Sequence, residues 1–463
     1  MSEQSDFSSF REDPAINPPR QVSGFTAACV LISNVIGAGI FTTTGFLARD
    51  LGDAKWILLL WIAGGLLALI GAMCYSELGA LLPHVGGEYV YIQKAYGSFL
   101  GFLSGWASFT IGFGAGVAAG SISFASYLLQ LVPFDHVPTL LIKFVALGLV
   151  WVLTAVHRAG VGPGGILQQI LTLIKIGSIV GLIVAAFSLG NGTGEYFTLE
   201  THTPSPSWGT IVISMIFVSY AYSGWNAAGY IAGEMINPCR NIPRAMIGGT
   251  LVVCGLYFLL NLVYVYALPV HVLGTPPVLP VAEKAFVALF GPVAAGVVTV
   301  ILCISMAGAV SAMVWIGPRV YYAMAKDGVF PGIFAQLRSN GGAPTKAILL
   351  QSLWASFLIV TGTFEQLVIY SGIIIAIFSS LAVGAVMILR WSRPNLPRPY
   401  SVPVYPLLPG LYVAASACMV VYTFVERTAE SLWAVATVLV GVPLYVFWRA
   451  KANKRRQVGF MNS

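Results

Sequence analysis

Two stretches of the sequence decide the fold: Ser33-Asn34-Val35-Ile36-Gly37-Ala38-Gly39-Ile40-Phe41-Thr42 and Tyr220-Ala221-Tyr222-Ser223-Gly224-Trp225-Asn226-Ala227-Ala228-Gly229. Each lies near the middle of a long apolar segment and carries glycine and small polar residues there. Glycine costs about 1 kcal/mol in a helix interior relative to alanine and leaves the backbone free to unwind. We therefore expect an interrupted helix at both stretches. The alternative is that the glycines only allow neighbouring helices to pack closely.

The composition indicates a membrane protein. Hydrophobic residues make up 57% of the chain and charged residues only 9%, whereas soluble domains carry about 25% charged residues. A water-soluble chain of this size would lack the charged side chains that its surface needs, but a lipid-facing surface does not need them. The sequence therefore predicts an all-α integral membrane protein without a soluble domain.

Twelve apolar windows are long enough to cross a bilayer core of about 30 Å, which takes roughly 20 residues. We call them spans 1 to 12, and they cover residues 22–48, 55–82, 97–132, 138–156, 164–189, 208–235, 245–270, 293–325, 345–362, 366–390, 404–425 and 429–449. If the amino terminus is cytoplasmic, Lys and Arg concentrate in the cytoplasmic loops. This bias predicts a multi-pass protein of the cell membrane with both termini in the cytoplasm.

The two glycine-rich spans, 1 and 6, are five spans apart, so they cross the membrane in opposite directions. This placement predicts a five-plus-five inverted repeat, although the two halves show no obvious similarity of residues. We divide the chain into a cytoplasmic tail (1–20), spans 1–5 (21–190), spans 6–10 (207–390), spans 11–12 (403–450) and a second cytoplasmic tail (451–463). Asn237-Pro238 and Ile242-Pro243 are predicted to mark the turn after span 6.

Two neighbouring helix breaks could hold an α-amino acid through the main chain. A broken helix offers free N–H groups at the start of its second half and free carbonyls at the end of its first half. The N–H groups attract a carboxylate and the carbonyls attract an ammonium group. We expect the carboxylate to meet the amides of Ala38, Gly39 and Ile40, and the amine to meet the carbonyls of Val35, Tyr220 and Ser223.

Lys175 lies deep inside span 5, in Leu171-Thr172-Leu173-Ile174-Lys175-Ile176-Gly177. A cation at the bilayer centre costs at least ~2.5 kcal/mol, so its side chain must face the bundle and find partners there. A lysine that snorkels to the headgroups is the alternative, but Lys175 is far from both ends of its span.

Few other ionisable groups stand out. Glu77 and Glu234 lie near the cytoplasmic ends of spans 2 and 6, where they either latch an inner gate through arginines such as Arg240 or Arg319 or remain solvated. The five histidines fall in loops or at helix ends, so we expect no buried histidine relay. Asp, Glu and His do not cluster at mid-membrane, so we expect no catalytic residue, metal site or cofactor, and no enzyme.

The motifs resemble those of a known family. Asn34-Val35-Ile36-Gly37-Ala38-Gly39-Ile40-Phe41 resembles the span 1 signature of the amino acid–polyamine–organocation (APC) superfamily. Ala221-Tyr222-Ser223-Gly224-Trp225-Asn226, with Gly233-Glu234 and Asn237-Pro238-Cys239-Arg240-Asn241-Ile242-Pro243, resembles span 6 of its L-type amino acid transporter branch. Tyr75-Ser76-Glu77-Leu78 and Gly86-Gly87-Glu88-Tyr89 also fit. The resemblance covers nearly the whole chain and implies a LeuT-like fold of twelve transmembrane helices, with spans 1 and 6 unwound and alternating access around them.

The resemblance also implies roles for single residues. Tyr220 matches an aromatic residue that closes over the substrate, and Asn226 matches an asparagine that helps to hold it. Lys175 matches a lysine that replaces sodium in sodium-independent members; its expected partners are carbonyls near Ile36 and Gly37, with Ser311 as a further one. The predicted substrate-binding set is Val35, Ile36, Gly37, Ala38, Gly39, Ile40, Tyr220, Ala221, Ser223 and Asn226, and the predicted gating residues are Tyr220, Glu77 and Glu234.

The function that follows is a sodium-independent secondary transporter or exchanger of neutral L-amino acids. Ser223 stands where relatives that take cationic amino acids can carry an acidic residue, so a cationic side chain would lack a counter-charge. A proton-coupled carrier of cationic amino acids or polyamines remains the alternative; a channel and a membrane enzyme have less support. L-type members from animals pair with a glycoprotein through a cysteine after span 3. Residues 132–138 contain none, so we expect no disulfide-linked heavy subunit and no nucleic acid partner.

Overall fold

The computed structural model describes residues 18–132, 137–197, 205–276, 280–338, 342–362, 364–426 and 428–461. Within these ranges the regular elements are helices, and one isolated β-bridge joins Val22 to Met235. The protein is therefore an all-helical bundle, as the composition predicts.

The first half of the chain forms α1 to α8. Their bounds are Gly24–Val35 (α1), Gly39–Leu51 (α2), Ala54–Leu81 (α3), Glu88–Tyr96 (α4), Ser98–Ala107 (α5), Gly114–Gln130 (α6), Thr139–Ala159 (α7) and Val161–Leu189 (α8). A π-helical segment, Ser108–Phe113, joins α5 to α6, and a short 3-10 helix follows at Gly194–Phe197.

The second half forms α9 to α19. Their bounds are Trp208–Ala221 (α9), Ala227–Tyr230 (α10), Pro238–Ala267 (α11), Val270–Leu273 (α12), Val281–Phe290 (α13), Val293–Lys326 (α14), Thr345–Thr361 (α15), Phe364–Ser392 (α16), Leu407–Glu426 (α17), Thr428–Leu439 (α18) and Gly441–Met461 (α19). Short 3-10 helices lie at Ala232–Glu234 and Gly332–Ala335.

Among the described residues, ten helical stretches are long and apolar enough to cross a membrane, with α1 and α2 taken together as one stretch. Two further apolar helices, α9 and α15, fall in the predicted spans 6 and 9 but are shorter. Many leucine, isoleucine, valine and phenylalanine side chains are exposed on the outside of the bundle. A surface of this kind suits lipid and would be unstable in water.

One predicted boundary is wrong. Ile242-Pro243 does not mark a turn, because α11 begins at Pro238 and continues through Pro243. Pro238 occupies the first turn, where its missing N–H costs nothing, and Pro243 removes a single backbone bond near the helix end. At the carboxyl terminus, residues 451–461 of the predicted tail are helical, because they extend α19.

The two glycine-rich spans lie at the centre of the bundle. Helix α1 packs against α8, α11 and α14, and α2 packs against α9. The chain therefore brings the two stretches that decide the fold into direct contact, surrounded by longer helices that exclude lipid from them.

Candidate substrate site

Span 1 is divided between two helices. Helix α1 ends at Val35, and α2 begins at Gly39. The N–H groups of Ala38, Gly39 and Ile40 donate to no acceptor among the described residues, because the first turn of a helix has no preceding carbonyls within it. These are the three amides to which the sequence assigns a carboxylate.

Span 6 is divided in the same way. Helix α9 ends at Ala221, and α10 begins at Ala227. Between them Gly224 has a φ of 104°, a conformation that favours glycine. A side chain at Gly224 would place its Cβ 2.5 Å from Nδ2 of Asn34, and that Nδ2 donates to the Gly224 carbonyl at 3.4 Å. The turn at Gly224 therefore lies directly against span 1.

The two breaks touch at a second point. A Cβ on Gly39 would lie 2.7 Å from both Cα and Cβ of Ala221, so only glycine permits this approach. Tyr257 of α11 joins the same region, because its hydroxyl lies 2.9 Å from the Val35 carbonyl and 3.1 Å from the Ala221 carbonyl. Sequence reasoning missed Tyr257, since nothing distinguishes this tyrosine from one that only packs.

The carbonyls at the breaks differ in how many hydrogen bonds they accept. The Val35 carbonyl accepts from the Gly37 N–H at 2.9 Å, and it shares the single hydroxyl proton of Tyr257 with the Ala221 carbonyl. Its role as an acceptor for the substrate amine stays a prediction. The Tyr220 carbonyl accepts from the Ser223 N–H at 3.0 Å and also faces the N–H of Tyr222. The Ser223 carbonyl accepts from no donor in the described ranges.

Asn34 supplies an acceptor that the sequence did not single out. Its Oδ1 is buried and has no hydrogen-bond partner among the residues described. An unpaired buried polar atom costs about 1–3 kcal/mol, and an ammonium group at this position would offset that cost. The signal was available in the sequence, because Asn34 is a polar residue immediately before the break in span 1.

A cavity opens beside the two breaks. Its wall includes Asn34, Glu88, Ser108, Ser223, Gly224 and Asn226. The predicted residues Ser223 and Asn226 thus face one space together. Tyr220 is only partly buried, in the last turn of α9, and does not line this cavity; its predicted closing movement stays a prediction.

Lys175 is fully buried in α8 and holds the end of α1. Its Nζ donates to the Ile36 carbonyl at 2.7 Å, to the Ser33 carbonyl at 3.0 Å and to Ser33 Oγ at 3.2 Å. These three acceptors match the three protons of an ammonium group. The structure therefore contains the expected contact with Ile36 and adds Ser33, while the snorkelling alternative is wrong.

Ser311 is engaged elsewhere. Its Oγ lies 2.9 Å from Nε2 of His157, and the hydrogen bonds of Lys175 go to Ser33 and Ile36 instead. His157 is itself buried, at the end of α7. Two expectations are thereby corrected: Ser311 is a partner of His157, and one histidine predicted at a helix end lies inside the bundle because α14 covers it.

Glu234 and Arg319 form a buried ion pair near the end of the bundle that we predict to be cytoplasmic. Arg319 Nε and Nη2 donate to the two carboxylate oxygens of Glu234 at 2.8 and 3.1 Å. The main-chain carbonyl of Glu234 also accepts the N–H groups of Gln21 and Val22, both at 2.8 Å. The residues just before α1 are thus fastened to the end of span 6, and the solvated alternative for Glu234 is wrong.

Replacing Arg319 by glutamine is expected to destabilise the protein by about 3–5 kcal/mol, because Glu234 would keep a buried charge without a partner. The midpoint of thermal unfolding in detergent measures this. Arg240→Gln is the matched control, since Arg240 was the other arginine proposed from the sequence and is exposed. Equal unfolding midpoints for the two variants would contradict the importance of the pair.

Glu77 is also buried, but with different partners from those expected. Arg390 Nε donates to Glu77 Oε1 at 2.8 Å, Arg398 Nε lies 3.4 Å from the same oxygen, and the Val402 N–H donates to Oε2 at 2.7 Å. Arg240 and Arg319 are therefore not its partners, and Glu77 is not solvated. It ties α3 to the end of α16 and to the proline-rich segment that follows, which lies far away in the sequence.

Glu88 is the functional candidate that sequence reasoning missed. Its carboxylate is buried, and Oε2 accepts from the Tyr75 hydroxyl at 2.6 Å and from Asn226 Nδ2 at 3.5 Å. Burial raises the pKa of Glu88 to about 7, although hydrogen bonds from Tyr75, Asn226 and Ser104 act in the opposite direction. The sequence does not predict its burial, because Glu88 lies in the connection between spans 2 and 3, where carboxylates are normally solvated.

A helical membrane bundle with two interrupted spans meeting beside a cavity defines the class of this protein as a membrane permease. The chain belongs to the amino acid permease family, whose profile matches residues 22–443.

Several characterised proteins are similar over nearly the whole chain. The large neutral amino acids transporter small subunit 2 of Mus musculus is 29% identical over 442 residues, covering 92% of this chain and 81% of the relative. The serine/threonine exchanger SteT of Bacillus subtilis is 30% identical over 433 residues, covering 92% and 96%. The human Asc-type amino acid transporter 1 is 27% identical over 439 residues, covering 92% and 83%.

Proposed function

We propose that this chain is a sodium-independent exchanger of neutral L-amino acids that works by alternating access. It would have twelve transmembrane helices in a five-plus-five inverted repeat, with α9 and α15 as the shorter spans and with both termini in the cytoplasm. The names of the relatives, which include two transporters and one exchanger of amino acids, support this reading.

The observation that carries the proposal is the pair of helix breaks. Three N–H groups, at Ala38, Gly39 and Ile40, have no acceptor in the described parts of the chain and suit a carboxylate at the positive end of α2. Asn34 Oδ1 and the Ser223 carbonyl suit an ammonium group, because both are acceptors without donors among the described residues. A zwitterion has both groups on one carbon, so it can bridge the breaks without any charged side chain.

Lys175 supports independence from sodium. Its ammonium group binds the carbonyls of Ser33 and Ile36 at the end of α1, and oxygen atoms of this kind are the ligands that a hard cation would otherwise need. A fixed positive charge at this point leaves little reason for a dissolved ion to bind there.

The neutral substrate class has one competitor. Glu88 places a carboxylate on the cavity wall, which favours the alternative of a proton-coupled carrier of cationic amino acids or polyamines. Ser223 and the names of the relatives favour neutral substrates. Competition of labelled alanine or leucine uptake by excess arginine separates the two, since a carrier of cationic substrates would be inhibited strongly.

The contacts of Glu77 and Glu234 suggest how the inner side closes. We assign these buried pairs, with the bridge between Val22 and Met235, to the closed inner gate. The chain would work without a heavy subunit, because residues 132–138, of which 133–136 lie outside the described residues, contain no cysteine.

Replacing sodium by choline is expected to leave exchange unchanged. The purified protein would be reconstituted into liposomes loaded with unlabelled serine, alanine or leucine, and uptake of the labelled amino acid would be followed in both salts. Empty liposomes give the background, and liposomes without internal amino acid separate exchange from net uptake. Uptake that collapses in choline would contradict sodium independence, and no uptake of any neutral amino acid would contradict the function.

A further inference from the structure

Glu88 differs from the other two buried carboxylates near the inner end of the bundle. Glu77 and Glu234 are each paired with arginine, through Arg390 and Arg319. Glu88 is 5% exposed, and its carboxylate accepts hydrogen bonds from the neutral side chains of Tyr75 and Asn226. A buried carboxylate without a cation is costly when ionised, and it commonly becomes neutral by binding a proton.

The groups that face Glu88 come from five parts of the fold, and all are neutral. The side chains whose ionisation or hydrogen bonding is coupled to Glu88 are Tyr75 of α3, Tyr91 of α4, Ser104 of α5, Asn226 and Tyr230 of span 6, and Tyr412 of α17. From the described parts of α14 and α16, the residues that line the same cavity are Met313, Ile374, Ile375 and Phe378. Among the described residues, then, no cation shifts the pKa of Glu88.

The position of Glu88 links this carboxyl group to the substrate. Asn226, which is predicted to hold the substrate, directs its Nδ2 to Glu88 Oε2 and to the Tyr230 hydroxyl. Glu88 also lines the cavity beside Asn34 and Ser223. An ionised Glu88 would repel the carboxylate of an amino acid and would leave a net negative charge beside a neutral side chain.

We propose that Glu88 is a proton-binding site of the transport cycle, and that the protein binds a neutral amino acid when Glu88 carries a proton. This inference rests on the proposed function. The proton comes from water in the cavity, forms the O–H bond of the carboxyl group, and returns to water when the group ionises. In this scheme Glu88 does not bind the amino or carboxylate group of the substrate. Its protonation state sets the charge of the cavity wall against which the substrate binds.

The direction of the pH effect follows from the pKa of about 7. Below this value the carboxyl group is protonated and exchange is expected to be fast. Above it the protonated fraction falls about tenfold for each pH unit, so the rate at low substrate concentration is expected to fall by the same factor. Arginine should compete better at high pH, because the ionised carboxylate then offers a counter-charge.

Exchange by the wild-type protein and by Glu88→Gln would be measured from two pH units below to two units above the pKa, with equal pH on both sides of the liposome membrane. Glutamine has the shape of the protonated carboxyl group and cannot ionise. The variant is expected to exchange neutral amino acids at a rate that is nearly independent of pH, whereas Glu88→Asp should keep a pH-dependent step. Glu426→Gln, at an exposed position, is the control for removing any glutamate.

An infrared measurement keeps the test decisive if Glu88→Gln does not transport. In the wild-type protein, we expect the carbonyl stretch of a protonated carboxyl group below the pKa and its disappearance above the pKa. In the variant, we expect this band to be absent at every pH. The proposal is overturned if wild-type exchange does not change with pH, if the variant keeps the wild-type profile, or if the variant is inactive and the infrared band is the same in both proteins. Failure of the wild type to exchange any neutral amino acid at any pH would instead overturn the proposed function.

Discussion

Gly39→Ala is expected to reduce substrate binding and exchange about 5- to 150-fold. The new Cβ would lie 2.7 Å from the Cα and Cβ of Ala221, and neither atom can rotate away. Relief requires a shift of the backbone of α2 against α9, and overpacking of this kind typically costs 1–3 kcal/mol. Because the shift separates the two breaks, the cost falls on the arrangement to which we assign the substrate site.

Binding of a labelled amino acid to the purified variant, and its exchange in liposomes, measure the effect. Gly248→Ala is the matched control, because a Cβ at Gly248 in α11 would meet nothing within 4 Å. Elution of both variants at the wild-type position in size-exclusion chromatography shows that they fold. Wild-type binding by Gly39→Ala would mean that the close contact of the breaks is not needed for the substrate site.

Lys175→Met is expected to lower substrate affinity at least about tenfold. Methionine keeps most of the length and apolar character of the side chain but removes the three hydrogen bonds to Ser33 and Ile36. Hydrogen bonds to charged groups contribute about 1.5–3 kcal/mol each, and the carbonyls at the end of α1 would remain buried without donors. The end of α1, and with it the amides of the break, would lose its fixed position.

Affinity would be measured in sodium and in choline, with Lys55→Met as the control, since Lys55 is an exposed lysine at the start of α3. We expect the loss in both salts. Wild-type affinity of the Lys175 variant in choline would contradict the role assigned to the lysine.

Much of the fold could be predicted because the membrane restricts the possibilities. Apolar length gives the helices, and the clusters of small residues around Gly39 and Gly224 indicate where close approach and unusual backbone conformations are needed. The contacts of Lys175 could be predicted from its position alone, because a buried cation in a membrane must bind oxygen atoms. Each of these arguments uses a property that is local in the sequence.

The remaining parts of the site depend on contacts between distant residues. Glu77 was expected to pair with Arg240 or Arg319, but its partner Arg390 is reached only after α16 has folded back along α3. Tyr257 bridges the two breaks from span 7, whose sequence does not distinguish it from the other tyrosines there. Pairings of this kind depend on how the helices pack, and neither hydrophobic periodicity nor a local motif predicts that packing.

The main-chain bonds between residues 21–22 and 234–236 have a consequence for leakage, the passage of solutes or protons without exchange of a substrate. Glu234 accepts main-chain bonds through its carbonyl and pairs with Arg319 through its carboxylate, so a movement of Glu234 away from its surroundings breaks both. A partly open form, which would let solutes or protons leak, would lose both sets of bonds and form no new bonds to replace them. Such a form is therefore expected to be high in free energy. The main-chain part of this seal would remain after any single side-chain replacement.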